Sequence, residues 1–185
     1  MKRSVIVLVL ASILLVGVLA SLSFAGAPPI IFTVTSAKAE YNRSEQIALT
    51  LTLENTSASD VTVSAYSTGN VSLAYVKHNG TRIRPTGSVA LFEEDPRFLQ
   101  SEALVTLAPG TTVNIPFYVQ KRSVGSSVSV FRLGKKQEDK ELTYELIEPG
   151  LFVLRFRYKY SGSDNGKPNV YHKSVKSNEL TFTLQ

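Results

Sequence analysis

The chain has 185 residues, of which 43% are hydrophobic, with 20 Lys and Arg against 15 Asp and Glu and no Cys. This length is enough for one domain with a core of its own, so stability does not require disulfides or a structural metal. Without Cys, the chain is neither a disulfide-stapled module, a thiol-dependent enzyme nor a lipid-anchored lipoprotein, because each of these needs a thiol.

The N-terminal segment has the pattern of an export signal. A cationic Met-Lys-Arg start precedes residues 4–22, which are almost entirely aliphatic or small, and Ala25 ends the segment with small residues at the positions that a signal peptidase reads. This pattern predicts a signal-peptide helix over residues 1–25, with cleavage after Ala25. The alternative is an uncleaved membrane anchor, because an apolar run of this length can just span a bilayer.

Cleavage leaves residues 26–185 as a single domain with 18 Lys and Arg against 15 Asp and Glu, a net charge of +3. We therefore expect a periplasmic, cell-surface or secreted protein with no stable membrane insertion once the signal is removed. Export and this modest charge also argue against nucleic acid as a partner. Four N-x-S/T sequons are glycosylation acceptors by motif alone, at Asn42, Asn55, Asn70 and Asn79.

The first half of the domain alternates apolar and polar residues, as strands do. Residues 30–35 predict an edge strand, and residues 46–55 predict a strand whose odd-numbered positions are all aliphatic from position 47 to position 53. After a polar turn the alternation resumes, and residues 71–77 form the next predicted strand. The Asn-Gly pair at residues 79–80 predicts a type I′ hairpin turn, because both residue types accept positive φ.

The middle of the chain is less regular. Residues 81–84 predict a short return strand, and residues 88–92 carry a weaker strand pattern. Residues 93–101 show no clean period and predict a long loop with at most one helical turn. Alternation returns in residues 113–119, which follow a Pro-Gly turn, and residues 128–133 predict a short strand between polar segments.

The clearest strand of the chain follows the Pro-Gly turn at residues 149–150. Large apolar or aromatic residues occupy every second position, which indicates one buried face: Phe152, Leu154, Phe156, Tyr158 and Tyr160. The opposite face is expected to be covered at its start and to reach water at its end: Leu151, Val153, Arg155, Arg157 and Lys159. Residues 142–146 lead into this strand, and residues 170–175 and 179–184 are the last predicted strands.

Nine or ten short strands, and no long helical period after residue 27, predict an all-β fold. The even spacing of the strands favours an antiparallel immunoglobulin-like β-sandwich, without the Cys and Trp residues of an antibody core. A small β-barrel is the alternative architecture.

Part of this layout resembles the bacterial intracellular proteinase inhibitor family and related immunoglobulin-like domains. The resemblance covers residues 37–119 and is carried by an Asn-Thr-Ser turn at residues 55–57, the Asn-Gly pair, Phe92 or Phe98, and Leu-Ala-Pro-Gly at residues 107–110. It implies an immunoglobulin-like fold and inhibition of peptidases. The export signal and about 65 further C-terminal residues depart from the family pattern.

Few residues are candidates for catalysis or metal binding. His78 precedes the hairpin turn and His172 lies in a polar strand pattern, so we expect both to be exposed and structural. Glu93, Glu94 and Asp95 are the densest carboxylate cluster, but adjacent side chains rarely converge on one centre. We therefore expect no catalytic residue, no metal site and no cofactor. A hydrolase that uses these carboxylates is the enzymatic alternative.

Two groups of residues are candidate binding sites. Arg155, Arg157 and Lys159 share one face of a strand, where an anionic envelope polymer or an acidic protein can bind. The simpler explanation, which the sequence favours, is that these cations protect an edge strand from aggregation. Phe98 and Leu99 lie in the predicted loop that would contact a peptidase.

The leading functional hypothesis is a non-enzymatic, exported β-sandwich that binds a protein or a cell-envelope polymer. A peptidase inhibitor is the more specific version of this hypothesis. A structural subunit of an envelope assembly is a further alternative, because a fold of this class does not by itself choose among such roles.

Overall fold

The computed structural model describes residues 28–88, 96–132 and 140–185. The predicted signal peptide, residues 1–25, and the carboxylates at positions 93–95 lie outside the described residues. Within these ranges the chain consists of β-strands and one short helix, so the prediction of an all-β fold is confirmed. None of the described helical structure is long and apolar enough to cross a membrane.

Fourteen strands and one helix occur in the described ranges. In chain order they are β1 (Ile30–Ser36), β2 (Glu40–Tyr41), β3 (Leu49–Asn55), β4 (Val61–Ser64), β5 (Val71–His78), β6 (Thr81–Arg82), β7 (Thr86–Ser88), α1 (Pro96–Glu102), β8 (Leu104–Leu107), β9 (Thr112–Ile115), β10 (Val119–Lys121), β11 (Ser126–Arg132), β12 (Lys140–Leu146), β13 (Gly150–Tyr158) and β14 (Val175–Leu184).

The strands form four sheets. The largest has the strand order β2-β14-β13-β5-β6, a second has the order β10-β11-β12-β7, a third has the order β1-β3-β9, and β4 pairs with β8. These pairings are antiparallel except that of β2 with β14. The aromatic strand singled out in the sequence, β13, is therefore the central strand of the largest sheet.

The core lies where the five-stranded and three-stranded sheets meet. Phe32 of β1 contacts Tyr158 of β13 with ring centroids 6.1 Å apart, and Phe117, just after β9, meets Phe156 edge-on at 5.4 Å. The four inward positions predicted on β13, from Phe152 to Tyr158, are all buried. Because each large apolar side chain contributes about 1.5–3 kcal/mol when buried, this face supplies much of the stabilisation of the fold.

Some predicted boundaries were wrong, for local reasons. The strand predicted over residues 113–119 is divided into β9 and β10, because Pro116 has no N–H to donate to a neighbouring strand. Residues 170–174 form no strand beyond an isolated parallel bridge between Val170 and Thr62 of β4, and the last strand, β14, begins at Val175. Leu151, expected to be covered at the start of β13, is 44% exposed.

A bulge in β14 connects the five-stranded sheet to the three-stranded sheet. The register shifts between Arg155 and Arg157, so two residues of β14, Ser177 and Asn178, lie opposite the single residue Phe156. The Asn178 amide donates to the Val34 carbonyl at 3.0 Å and accepts from its N–H at 2.8 Å. Strand β1 is an edge strand, as predicted, and this amide covers its edge at Val34.

The predicted hairpin turn is confirmed. Asn79 and Gly80 have φ values of 48° and 80°, and His78 pairs directly with Thr81 across the two-residue turn. The Asn79 side chain also accepts a hydrogen bond of 2.8 Å from Leu151 N–H. The turn is therefore tied to the start of β13, which fixes the position of that strand relative to β5.

Two of the four sequon asparagines are unavailable to a glycan in the folded chain. Asn55 and Asn70 are buried, and the Asn55 amide donates to the carbonyls of Ser59 and Leu107. Because both amides lie inside the fold, attachment of a sugar there would require local unfolding. Asn42, like the turn residue Asn79, is exposed.

Tyr158 links the five-stranded sheet to β4. Its buried hydroxyl donates to the Ser64 carbonyl at 3.0 Å and accepts from the Ser64 N–H at 2.9 Å. Burial raises the pKa of Tyr158 far above that of an exposed tyrosine, so the phenol stays protonated in the folded protein. Both backbone groups of Ser64 thus depend on one side chain for their partners.

Candidate functional site

The outer face of the five-stranded sheet carries a group of cations, here called the cationic face. Alternation along β13 turns Arg155 and Arg157 away from the core, and the pairing of strands brings basic residues of β5, β6 and β14 beside them. The members of the cationic face are Lys77, Arg82, Arg155, Arg157, Lys159 and Lys176. Only one carboxylate, Glu179, lies directly opposite either arginine among the described residues.

One half of the cationic face is held in place by hydrogen bonds. Tyr75 and Glu179 lie on either side of Arg155 in the sheet, and the Tyr75 hydroxyl donates to the Glu179 carboxylate. This hydrogen bond raises the pKa of Tyr75, while the nearby Arg155 guanidinium opposes the shift. Arg155 Nε also donates to the Ser177 carbonyl at 2.9 Å, so its side chain is fixed along the strand.

The Tyr75 ring anchors two further cations. The Lys77 ammonium lies 5.0 Å from the ring centroid, and the Arg82 guanidinium lies 5.4 Å from it. Beside this ring, between β5 and β12, is a crevice of 480 Å³ that is lined by Arg82, Arg84 and Tyr144 among others. The cationic face therefore continues into a recess at this side of the sheet.

The other half of the cationic face is unneutralised. Arg157 and Lys176 are directly opposite each other on β13 and β14, Lys159 follows two residues after Arg157, and all three are exposed. Within the described ranges, none of the three has a carboxylate within 4.0 Å. Like charges directly opposite each other destabilise a sheet, so the stability of the fold does not explain this arrangement.

Edge protection, the simpler explanation for Arg155, Arg157 and Lys159, is contradicted. Cations protect an edge strand by discouraging a second chain from pairing with it. Strand β13 has β14 on one side and β5 on the other, so its backbone groups are already paired along both edges. Lys176 joins these cations because it pairs directly with Arg157 across β13 and β14.

Phe98 and Leu99 occupy a different element. They lie on α1 rather than in the predicted loop, with Phe98 61% exposed and Leu99 half-buried. The helix is attached through Gln100, whose side chain is buried and donates to the Thr68 carbonyl at 2.8 Å. A helix does not offer the extended backbone that strand-addition recognition requires, so this geometry does not favour the two residues as a peptidase contact.

The two histidines have structural partners. His78 is half-buried rather than exposed, with Nε2 2.9 Å from the Pro149 carbonyl and its ring stacked on Phe152 at 4.6 Å. His172 lies in a loop rather than a strand, and its Nε2 is 2.6 Å from the Asp164 carboxylate. In the described part of the chain no hydroxyl group bonds to the His172 ring, so a nucleophile for catalysis of the Ser-His-Asp type is not in place.

The His172–Asp164 pair was missed by the sequence interpretation. The two residues lie on either side of the turn at Asn165 and Gly166, both of which have positive φ. An Asp-Asn-Gly sequence favours a turn, and a chain reversal of this kind was the available signal for the pairing. No cluster of three or more His, Asp or Glu side chains that could hold a metal ion occurs among the described residues.

Comparisons with known proteins give no family assignment. No protein-family model, curated protein or solved structure matches this chain. The resemblance of residues 37–119 to the intracellular proteinase inhibitor family therefore stays a prediction based on turn residues and strand alternation.

Proposed function

We propose that this protein is an exported binding module that holds a linear anionic polymer of the cell envelope against its cationic face. The observation that carries the proposal is the exposed, unneutralised group formed by Arg157, Lys159 and Lys176. These cations repel one another in the free protein, and a polyanion relieves that repulsion when it binds. The free energy released in this way favours binding of a polyanion over binding of a neutral ligand.

The shape of the cationic face favours a polymer over a folded acidic protein. Arg155 and Arg157 of β13 and Lys159 just after its end recur at every second residue, which is a spacing of about 6.6–6.8 Å in a regular strand. A chain with regularly repeated phosphate, sulfate or carboxylate groups can follow such a row. The fixed side chains of Arg155 and Arg82 supply further contacts that need little additional ordering on binding.

The cationic face can be tested by removing the three unneutralised charges. The triple variant Arg157→Gln, Lys159→Gln, Lys176→Gln should bind dextran sulfate about 100-fold more weakly than the wild type, because each cation near a polyanion contributes about 1 kcal/mol. Neutral dextran of the same length should bind neither protein. Affinities are measured by isothermal titration calorimetry at physiological salt, because low salt exaggerates the contribution of surface charges to binding.

A matched control distinguishes the effect of where the cations lie from the effect of the protein's net charge. The variant Lys121→Gln, Arg122→Gln, Lys167→Gln removes three exposed cations outside the cationic face and should retain affinity within a few-fold. Equal losses in the two triple variants would show that overall charge, not the cationic face, binds the polymer. Tighter binding of polyglutamate than of dextran sulfate, lost in the first variant alone, would instead favour an acidic protein as the partner.

We further propose that the domain is an immunoglobulin-like β-sandwich. Its three-stranded sheet, β1-β3-β9, and the β14-β13-β5 part of the largest sheet match the two facing sheets of that fold in strand order. The ring contact between Phe32 and Tyr158 supports this assignment, because it joins one sheet to the other. Strands β10 to β12, helix α1 and the short strands around them are insertions in this scheme.

Export of the protein is supported by its N-terminal sequence. The cationic residues at positions 2 and 3 and the apolar run after them predict a signal peptide over residues 1–25. Mass spectrometry of the protein from the envelope fraction of its native cell is expected to find Gly26 at the N-terminus. A chain that begins at Met1 in that fraction would contradict cleavage and favour the N-terminal anchor, and recovery from the cytoplasm alone would contradict export.

A further inference from the structure

A groove of 170 Å³ lies between the start of β5 and strands β10, β11 and β12. It is separate in composition from the cationic face, since none of the six cations lines it. Its lining includes Thr68, Phe117, Tyr118, Gln120, Ser129 and Glu141. The groove therefore combines two aromatic rings, two hydroxyls, an amide and a carboxylate.

The aromatic side of the groove is formed by neighbouring residues with different roles. Phe117 is half-buried, and its ring meets Phe156 of the core edge-on at 5.4 Å, which fixes this wall. Tyr118 is 82% exposed, the most exposed of the large apolar side chains in the described ranges. Its ring is thus available at the mouth of the groove. The face of an aromatic ring carries negative charge density, which attracts polarised C–H groups.

Ser129 and Glu141, on the polar side of the groove, are connected to each other through the hydroxyl of Thr143 on β12. Ser129 and Thr143 are directly opposite each other on β11 and β12, with their hydroxyl oxygens 3.0 Å apart. The Thr143 hydroxyl lies in turn 3.5 Å from the Glu141 carboxylate. Because these groups are already oriented by one another, they offer a ligand hydrogen-bond partners without first having to be ordered.

We infer that this groove binds a neutral sugar residue of an oligosaccharide. A pyranose ring has an apolar C–H face, which suits the ring of Tyr118, and an edge of hydroxyls, which suits Ser129, Gln120 and Glu141. The Glu141 carboxylate, with no cation among the lining residues that the structure describes, disfavours an anionic ligand. The site is therefore distinct in chemistry from the cationic face, and the inference does not rest on that proposal.

Neutral oligosaccharides provide the test. The purified protein is titrated by calorimetry and by two-dimensional NMR with the tetrasaccharides of cellulose, chitin, amylose and xylan. We expect at least one of these sugars to bind with a Kd below about 10 mM. Tyr118→Ala should weaken that binding about 10-fold or more, because stacking of a ring on an aromatic side chain is worth roughly one factor of ten. Ser129→Ala should weaken it several-fold.

Two controls and two outcomes make the test decisive. Tyr118→Phe keeps the ring and should retain affinity within a few-fold, and Phe98→Ala removes an exposed ring from α1 and should have no effect. Failure of all four sugars to bind, or equal binding by the wild type and Tyr118→Ala, would overturn the inference. The triple variant of the cationic face should bind the neutral sugar normally, so either proposal can fail without the other.

Discussion

Replacing Gly125 with Ala should destabilise the fold by about 2–5 kcal/mol. Gly125 lies just before β11 with a φ of 73°, where a residue with a Cβ is strained by about 1–2 kcal/mol. An added Cβ would also press against the Leu146 carbonyl oxygen and lie 2.9 Å from the Ile147 Cα. Both are backbone atoms at the end of β12, so they cannot rotate aside as the tip of a side chain can.

Gly110 provides the matched control for this prediction. It has the same φ of 73°, but an added Cβ would have no heavy atom within 4 Å. Gly110→Ala should therefore cost only the backbone strain, about 1 kcal/mol. Urea unfolding of both variants gives the difference, provided that the slope m is unchanged. Equal urea midpoints for the two variants would show that the contact with β12 is relieved without cost.

Replacing Tyr158 with Phe should lower the free energy of unfolding by about 2–6 kcal/mol. The substitution preserves the ring that packs on Phe32 but removes the hydroxyl that bonds to both backbone groups of Ser64. Ser64 is fully buried, so water cannot easily replace the lost partner. Each buried backbone group without a partner costs about 1–3 kcal/mol. Tyr118→Phe, at an exposed site, should leave the urea midpoint unchanged.

The same variant should change how stability depends on alkaline pH. Tyrosines in the unfolded chain ionise from about pH 10, whereas burial raises the pKa of Tyr158 so that it keeps its proton in the folded protein. Above that pH the unfolded state binds fewer protons than the folded state, and Tyr158 makes the unfolding free energy fall by about 1.4 kcal/mol per pH unit. Tyr158→Phe should show a shallower fall between pH 10 and 12. Parallel curves for both proteins would contradict a buried, protonated phenol.

The candidate site was predicted in part from alternation alone. Arg155 and Arg157 were expected on one face because side chains of a strand alternate, and they do lie on one face. Their interpretation as protection of an edge was wrong, because the position of β13 within its sheet depends on β5 and β14. These partners are distant in sequence, and a period of two residues carries no information about them.

The groove at Tyr118 was not predicted. Residues 113–119 read as one alternating strand, in which Tyr118 would be an ordinary outward residue. Pro116 ends β9 early, and the link to β10 then carries Phe117 and Tyr118 to the groove beside β11 and β12. A groove formed by segments that are far apart in the chain has no local sequence pattern by which it can be recognised.

Amino-acid order alone determined the all-β class, the inward face of β13 and the turn at Asn79 and Gly80, because these depend on the burial and steric preferences of residues a few positions apart. Tertiary structure decided that β13 is a central strand, that Arg157 faces Lys176, and that Tyr158 reaches Ser64. These contacts join segments far apart in the chain. They are chosen by hydrogen bonding and packing of the whole core, which no single stretch of sequence contains.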